Sequence, residues 1–360
     1  REGRGLGYHG DVHPSEASVR SPTIKDVAER AGVSLKTVSR VVNREASVHE
    51  RTRDKVQRAI DELGYRPDPS ARSLRSTHAF VLGLVYDNPN SHYVIDMQSG
   101  ALSACRERGF GLQIHPCDSR SPRLADELIQ LVQRSRLAGL VLAPPMSESA
   151  ELLKVLAAAK IGFVRIISAR EDPRDGWPCV YVDDRDAAQA LTEHLIQLGH
   201  QRIGFLWGDA EHRSSPERCQ GYAQALEDYG IGVDKKLVLA GEYSFDSGFR
   251  RARKLLALKD PPTAVIGCND EIAAGVLAAA RSGGMEVPWQ LSIAGFEDSP
   301  FSRQSWPALT TVRQDTAEIA RHAALRLIDE LGREDREPLA NEGFRPELVV
   351  RGSTAPPPRK

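Results

Sequence analysis

The sequence predicts a small all-α helix-turn-helix headpiece followed by an α/β body made of two doubly wound subdomains. Three short amphipathic runs between Pro22 and Gly64 indicate the headpiece. After Phe80, short apolar runs alternate with amphipathic stretches long enough for helices, which is typical of βαβ units and parallel sheets covered on both faces. So many strands in about 280 residues favour two side-by-side sheets over one oversized sheet.

Apolar runs after Phe80 define the strand candidates, and several of the stretches between them are helix candidates such as Ala187–Leu198 and Glu217–Tyr229. The strand candidates are Val81–Tyr86, Leu112–His115, Leu140–Leu142, Phe163–Ile167, Val180–Val182, Ile203–Trp207, Ala264–Cys268 and Ser292–Phe296.

Changes in composition predict five segments along the chain. Residues 1–21 are rich in glycine and serine and are expected to be a disordered leader, and residues 22–66 form the headpiece. A polar stretch with two prolines, residues 67–78, is the hinge, and residues 79–354 form the body. Residues 355–360 are a short tail.

Composition argues against several classes of protein. The chain has no apolar run of about 18 residues and begins without the apolar region of a signal peptide, so we expect a cytoplasmic protein without membrane contact. Five scattered cysteines without a CxxC pair are typical of a reducing compartment. We expect neither a metal site nor a cofactor.

The net charge of −1 is unevenly distributed. Residues 21–80 contain 12 Lys and Arg against 8 Asp and Glu, a net of +4. The first 20 residues balance, so the remainder carries −5. A basic unit attached to an acidic body is typical of a polyanion-binding headpiece on a sensing or catalytic domain.

The headpiece pattern predicts a helix-turn-helix with a supporting third helix, about Glu50–Leu63. Thr23 caps the first helix together with Asp26, Gly32 makes the tight turn, and Ser34 caps the second helix. The second helix then directs Leu35, Lys36, Ser39 and Arg40 outward toward a major groove, whereas Ser34, Thr37, Ser39 and Asn43 suit phosphate contacts. The alternative is an ordinary three-helix bundle with a solvated basic face.

Two segments, TIKDVAERAGVSLKTVSRVVN and TRDKVQRAIDELGYRPD, closely resemble the headpiece of the LacI/GalR family of repressors. The resemblance implies that Leu35, Lys36 and Arg40 read bases, with Arg40 donating two hydrogen bonds to guanine and Leu35 contacting a thymine methyl. A histidine, His49, stands where the family usually has a serine cap on the third helix. Thr52, in the first turn of that helix, completes the expected headpiece contacts.

The segment SARSLR after Pro69 is too short to form a stable helix alone in water. In the family, paired hinge helices fold on the operator and a leucine wedges between central base pairs in the minor groove. The resemblance assigns that wedge to Leu74, the contact between hinge helices to Ala71, and phosphate contacts to Arg72 and Arg75. The alternative is that Leu74 is a linker residue packed on the body.

The body resembles the family's periplasmic-binding-protein-like sensor core through the segments VYVDDRDAAQALTEHLIQLGHQRIGFL, GCNDEIAAGVLAAARSGG, SIAGFEDS and WPALTTVRQD. The resemblance implies chain crossings near Val182–Asp183, Val312–Gln314 and Asn341–Phe344. The first subdomain would comprise about 79–182 and 314–342. The second would comprise about 183–313 and 343–354.

The resemblance places an effector cleft between the subdomains, lined by charged, amide and aromatic side chains of the kind that a carbohydrate needs. The expected residues are His92, Tyr93, Asp183, Ser214, Arg218, Tyr243, Asn269, Glu297 and Gln314. Three of them have simpler alternatives. Arg218 could be solvated on an exposed helix, Asn269 could only cap the helix Glu271–Arg281, and Tyr243 could be a surface aromatic.

The cleft departs from the family pattern at three places. Glu297 replaces the usual aspartate, Ser-His-Tyr-Val replaces the usual Asn-Pro-Phe-Phe of the first subdomain, and Arg165 adds a charge to a normally apolar strand. These changes predict a reshaped pocket, for an oligosaccharide or an acidic sugar.

The sequence therefore predicts a DNA-binding repressor that acts as a homodimer on a pseudo-palindromic operator and is released by a sugar inducer. A dimer is expected because the last residues, STAPPPRK, lack apolar heptads. The alternatives are a regulator that uses a purine or nucleoside corepressor, a solute-binding protein and an enzyme. An enzyme is not expected, because the sequence has no GxGxxG, Walker A, GxSxG or HExxH motif.

Overall fold

A computed structural model describes residues 22–42, 48–65, 80–88, 90–169, 177–331 and 340–358. Its helices are α1 Ile24–Ala31, α2 Leu35–Val42, α3 Glu50–Leu63, α4 Ser91–Arg108, α5 Leu124–Ser135, α6 Ala150–Ala158, α7 Asp184–Gln197, α8 Ser214–Asp228, α9 Phe245–Leu256, α10 Asp270–Ser282, α11 Pro300–Gln304 and α12 Thr316–Leu331. Its strands are β1 Val81–Tyr86, β2 Gly111–Pro116, β3 Gly139–Leu142, β4 Phe163–Ser168, β5 Cys179–Val182, β6 Ile203–Leu206, β7 Val238–Leu239, β8 Ala264–Gly267, β9 Ser292–Ala294, β10 Thr311–Arg313, β11 Glu342–Phe344 and β12 Glu347–Val349. Short 3₁₀ turns cover Met146–Glu148 and Lys235–Leu237.

The headpiece helices begin and end where the sequence predicts. At the start of α1, the Asp26 carboxylate accepts hydrogen bonds from the Thr23 backbone N–H at 2.6 Å and the Thr23 hydroxyl at 2.7 Å. Gly32 ends the helix with a φ of +59°, in the left-handed region that suits glycine. At α2, the Ser34 hydroxyl accepts from the Thr37 N–H at 3.1 Å, which confirms the predicted cap.

A small apolar core holds the three helices together. Val27, Val38 and Val56, one from each helix, are fully buried against one another. The supporting helix α3 begins after His49, whose side chain makes no capping hydrogen bond within the described headpiece. His49 thus supplies no side-chain cap at the position where the family usually has a serine.

The body contains two parallel sheets built from the predicted apolar runs. The first has the strand order β11-β5-β4-β3-β1-β2 and the second β7-β6-β8-β9 within the described residues. Helices α4 and α12 cover one face of the first sheet, and its interior strands are buried almost throughout. All the strand candidates are present, with ends within two residues of the prediction. Four short strands of two or three residues, β7, β10, β11 and β12, were not predicted.

The chain passes between the two sheets near the predicted crossings. It leaves the first sheet after Val182 and returns after β10, which pairs with β12 in an antiparallel ribbon. The third crossing follows Phe344, at the end of the predicted range Asn341–Phe344, because Gly343 and Phe344 pair with Tyr181 and Val182 in the first sheet. The first sheet therefore extends two residues beyond the approximate boundary predicted at 342.

Within the described part of the chain, the helices are too short or too polar to span a bilayer.

Candidate functional site

A cleft lies between the two sheets of the body, where the carboxyl ends of their strands face each other. Loops that follow parallel strands meet at that edge, so side chains distant in sequence converge there. The lining residues are Asn88, Asn90, Tyr93, Pro144, Ile166, Ile167, Ser168, Val182, Asp184, His212, Ser214, Arg218, Tyr243, Asn269, Glu297 and Gln314.

The cleft brings together seven of the nine residues predicted for it, namely Tyr93, Ser214, Arg218, Tyr243, Asn269, Glu297 and Gln314. His92 and Asp183 do not line it. The His92 ring packs edge-on against Phe301, with ring centres 5.7 Å apart, because one step along a helix turns a side chain about 100° from its neighbour. The Asp183 carboxylate lies 3.6 Å from the Arg345 guanidinium.

Arg218 is a buried organising group of the cleft. Its Nε donates to Asp184 at 2.7 Å, Nη1 to the Cys268 carbonyl at 2.6 Å, and Nη2 to Gln314 at 3.3 Å. The guanidinium also lies 3.8 Å from the centre of the Phe296 ring, a cation–π contact. The alternative of a solvated arginine is therefore wrong.

Asp184 takes the position that the sequence prediction assigned to Asp183. One oxygen of its carboxylate pairs with Arg218, and the other accepts from the Ser168 hydroxyl at 2.6 Å. The sequence presents two adjacent aspartates after β5. Only the start of α7 decides which one faces the cleft.

Glu297 extends into the cleft from a backbone with a φ of +102°, which is rare for a residue with a side chain. Its Oε2 accepts from the Asn90 amide at 2.9 Å, and its Oε1 lies 3.8 Å from Nη1 of Arg218. Burial raises the pKa of Glu297 to about 8, although the charge of Arg218 opposes the shift. Asn90 thus links the two subdomains, a contact that was not predicted from the sequence.

Tyr243 and Asn269 form the floor on the side of the second sheet. The Tyr243 hydroxyl lies 3.0 Å from the Ser214 hydroxyl and accepts from Ser215 at 2.9 Å, so Tyr243 is not a surface aromatic. Asn269 does cap α10, since its Oδ1 accepts from the Ile272 N–H at 2.9 Å. Its buried amide nitrogen, Nδ2, has no partner among the described residues.

Glu148 closes one side of the cleft and was also missed from the sequence. Its carboxylate accepts from the backbone N–H of Ser168 at 3.0 Å and from that of Arg213, in the other subdomain, at 3.2 Å. Burial raises the pKa of Glu148 to about 7, against the lowering effect of these hydrogen bonds. Local sequence carries no signal for such a contact, because its partners lie 20 and 65 residues away.

Arg165 does not shape the cleft in the way that the sequence suggested. Its buried guanidinium donates to the carbonyl groups of Ser147 at 3.3 Å and Trp177 at 3.2 Å, outside the lining set. The charge is thus used to hold loops behind β4.

Helix α2 exposes the residues that the sequence predicts to read bases. Leu35 is 43% exposed, Lys36 and Arg40 are exposed, and Ser39 and Thr37 are half-buried beside the exposed Ser34. Thr52 is half-buried in the first turn of α3. The remaining predicted contacts, Asn43, Ala71, Arg72, Leu74 and Arg75, lie outside the described residues.

The cleft offers a ligand hydrogen-bonding and charged groups together with the aromatic rings of Tyr93 and Tyr243. Among the described residues, histidine, cysteine and carboxylate side chains form no cluster of three or more that could bind a metal. The arrangement suits a small polar ligand with several hydroxyl groups.

Known proteins share both parts of this architecture. Residues 23–68 match the family described as bacterial regulatory proteins, lacI family, and residues 192–354 match the periplasmic binding protein-like domain. The HTH-type transcriptional regulator DegA of Bacillus subtilis (strain 168) is 31% identical over 338 residues, which cover 93% of this chain and 98% of DegA.

Two solved structures are similar over nearly the whole chain. The CelR–cellobiose complex has 29% identity and a TM-score of 0.69, covering 92% of this chain and 99% of that one. The lac repressor dimer bound to operator and the anti-inducer ONPF has 26% identity and a TM-score of 0.72, covering 93% and 100%.

Proposed function

The chain belongs to the LacI family of bacterial transcriptional regulators, and on that premise we propose that it is a sugar-released repressor. As a homodimer it binds a pseudo-palindromic operator in the cytoplasm through two copies of α2. A sugar in the cleft lowers operator affinity. The observation that carries the proposal is that one chain has an exposed recognition helix and a closed polar cleft of the kind that holds a small ligand.

The DNA-binding part of the proposal is supported by the surface of α2. Exposed Lys36 and Arg40 lie on the same helix as exposed Leu35, which offers an apolar contact for a thymine methyl. The relatives that match this chain are transcriptional regulators, and the chain is not an enzyme. For the hinge, the wedge role of Leu74 and the helix contact of Ala71 remain predictions from the sequence.

The ligand part of the proposal is supported by contacts that hold the cleft closed. Asn90 and Glu297 hydrogen bond across it, Glu148 accepts from the Arg213 N–H, and Arg120 pairs with Glu211 at 2.9 Å. A ligand with several hydroxyl groups would replace such contacts and shift the closure equilibrium. Through linkage, a ligand that prefers the closure state with low operator affinity lowers operator affinity by at most the ratio of its affinities for the two states.

A sugar is favoured over a purine by the polar lining and by one relative. CelR, which is similar over nearly the whole chain, was solved as a complex with cellobiose. The aromatic rings of Tyr93 and Tyr243 could instead stack on a base, so a purine or nucleoside corepressor is the alternative outcome of the test below.

Operator recognition is tested by selecting a palindromic site from random DNA and measuring its affinity for wild type and Arg40→Ala. Loss of a two-bonded guanine contact should weaken binding by about 1–3 kcal/mol and relax preference at one base of each half-site. The matched control is Arg58→Ala, which removes an exposed arginine of α3 and should bind normally. Equal loss in both variants, or none in either, contradicts the base-reading role.

The effector class is tested by adding cellobiose, glucose, galactose, adenosine or hypoxanthine to the preformed operator complex. Release by a sugar supports the proposal. Tighter operator binding with adenosine or hypoxanthine, together with no response to any sugar, would replace it with the corepressor alternative.

A further inference from the structure

Among the described residues that line the cleft, acidic groups outnumber basic ones. Two carboxyl groups, Asp184 and Glu297, lie there with one guanidinium, that of Arg218. His212 also lines the cleft, but burial lowers its pKa, so it adds little positive charge at neutral pH. Behind Ser168 lies a third carboxyl group, that of Glu148, which accepts a hydrogen bond from the Ser168 N–H. Burial raises the pKa of Glu148 to about 7 and that of Glu297 to about 8, so both carboxyl groups are largely or partly protonated at neutral pH, and a bound cation would stabilise the ionised form of Glu297.

Arg218 is already committed to Asp184. That carboxylate has both oxygens occupied, one by Arg218 at 2.7 Å and one by the Ser168 hydroxyl at 2.6 Å. The other guanidinium nitrogens of Arg218 donate to Cys268 and Gln314, which leaves Glu297 at 3.8 Å, beyond hydrogen-bond distance.

Glu297 therefore faces the cleft with a neutral amide as its hydrogen-bond partner. Asn90 donates to one oxygen at 2.9 Å, and the side chain of Glu297 remains 15% exposed on the cleft side. The other charged groups that act on Glu297 are Asp184, Asp270 and Glu271, which are all acidic. A cation beside Glu297 would offset the free-energy cost of burying its carboxylate and the repulsion by the neighbouring acidic groups.

A second observation at the same site points to a hydroxyl group. The amide nitrogen Nδ2 of Asn269 is fully buried, lines the cleft and has no acceptor among the described residues. An unmade hydrogen bond in such a place costs free energy that a ligand oxygen recovers. The cleft thus offers one acceptor for a cation and one donor for a hydroxyl oxygen.

We propose that the effector is an amino sugar, with its ammonium group bound by the Glu297 carboxylate and a ring hydroxyl bound by Nδ2 of Asn269. The proposal rests on the sugar-released repressor described above and narrows its ligand class. It excludes the acidic sugar left open by the sequence, because a ligand carboxylate would meet Glu297 and Asp184 while Arg218 is already paired.

The test compares matched sugars by isothermal titration of the full-length protein. The pairs are glucosamine with glucose, galactosamine with galactose, and mannosamine with mannose, each also with its N-acetyl form. At least one amino sugar should bind about tenfold tighter than its neutral parent, as expected for a charge-assisted hydrogen bond. N-acetylation should abolish the gain, because it removes the positive charge.

The residue assignment is tested with Glu297→Gln, which keeps the shape of the side chain. In this variant the amino sugar and its parent should bind with equal affinity, whereas Glu151→Gln, the same change on an exposed face of α6, should keep the difference. The comparison among sugars uses wild type, so it decides the proposal even if Glu297→Gln folds poorly.

The outcomes separate this inference from the proposed function. Neutral sugars that bind as well as amino sugars overturn the inference and leave a sugar-released repressor. Failure of every sugar, with binding of adenosine, overturns the inference and the sugar class together. An amino-sugar preference that survives in Glu297→Gln overturns the assignment to Glu297.

Discussion

At the residue scale, His200 shows how a buried polar side chain ties distant parts of the body together. Its Nε2 donates to the Ala355 carbonyl at 2.9 Å, so Nδ1 is the acceptor for the Thr263 hydroxyl at 2.8 Å. The ring therefore joins the loop before β6 to the last described residues. Burial lowers the pKa of His200, despite the hydrogen bond to Ala355.

This shift makes the stability of the body pH-dependent. An unfolded histidine takes up a proton near pH 6.5, whereas the folded ring resists it until a lower pH. His200 therefore leaves stability unchanged above about pH 6.5 and lowers the free energy of unfolding as pH falls from there toward its folded pKa. Urea unfolding between pH 7.5 and 5 should show a shallower pH slope for His200→Gln than for wild type. Equal pH slopes in the two proteins would contradict the assignment of this pH dependence to His200.

At the element scale, the helix caps explain where the headpiece helices begin. At α1 the Asp26 carboxylate accepts from the Thr23 N–H and hydroxyl, and at α2 the Ser34 hydroxyl accepts from the Thr37 N–H, but α3 begins after His49 without a side-chain capping bond. The backbone of His49 is extended, with a φ of −60° and a ψ of 138°, which is the conformation that a capping serine adopts. The backbone at position 49 therefore suits a cap, and α3 lacks a capping oxygen because the side chain there is histidine.

His49→Ser should stabilise the first turn of α3 by about 1 kcal/mol, because the serine hydroxyl can accept a hydrogen bond from a backbone N–H of that turn. Hydrogen exchange of the full-length protein should show about fivefold greater protection of those amides if local opening governs their exchange. His49→Ala, which lacks the acceptor, is the matched control. Equal protection in the serine and alanine variants would show that the cap is not the cause.

At the scale of the whole molecule, charge is divided between the two parts that carry the two proposed activities. Residues 21–80 carry +4 and the remainder carries −5. The charges of the cleft are largely buried, whereas Lys36 and Arg40 are exposed. Salt screens exposed charges much more than buried ones, so the two binding reactions should respond differently to salt.

Operator affinity should fall about 10³–10⁵-fold between 50 and 200 mM salt, as expected if the dimer neutralises on the order of 6–10 phosphates. Effector affinity should change by less than about threefold over the same range, because the cleft groups are shielded from the solvent ions. Operator affinity is measured by fluorescence anisotropy with labelled operator, and effector affinity is measured by isothermal titration calorimetry. A flat salt dependence for the operator would contradict phosphate-dominated binding.

Local patterns in the sequence were sufficient to predict the helical headpiece and the longer strands of the body. Apolar runs such as Val81–Tyr86 predicted the longer strands because a strand buried on both faces needs a continuous apolar run. The caps at Thr23 and Ser34 act within one turn, so they too could be read from adjacent residues. Strands as short as Val238–Leu239 could not, since two residues carry no period.

The exposed face of α2 and the membership of seven residues in the cleft were therefore determined by the sequence and its family motifs, and tertiary structure decided the chemistry of the cleft. Asn90 and Glu297 are 207 residues apart, and Glu148 meets Arg213 across the cleft. The choice of Asp184 over Asp183 depends on which side chain the start of α7 turns toward Arg218. Such contacts arise from the packing of one sheet against another, so no local pattern encodes them. They place Glu297 3.8 Å from Arg218, whose guanidinium is already hydrogen bonded to Asp184.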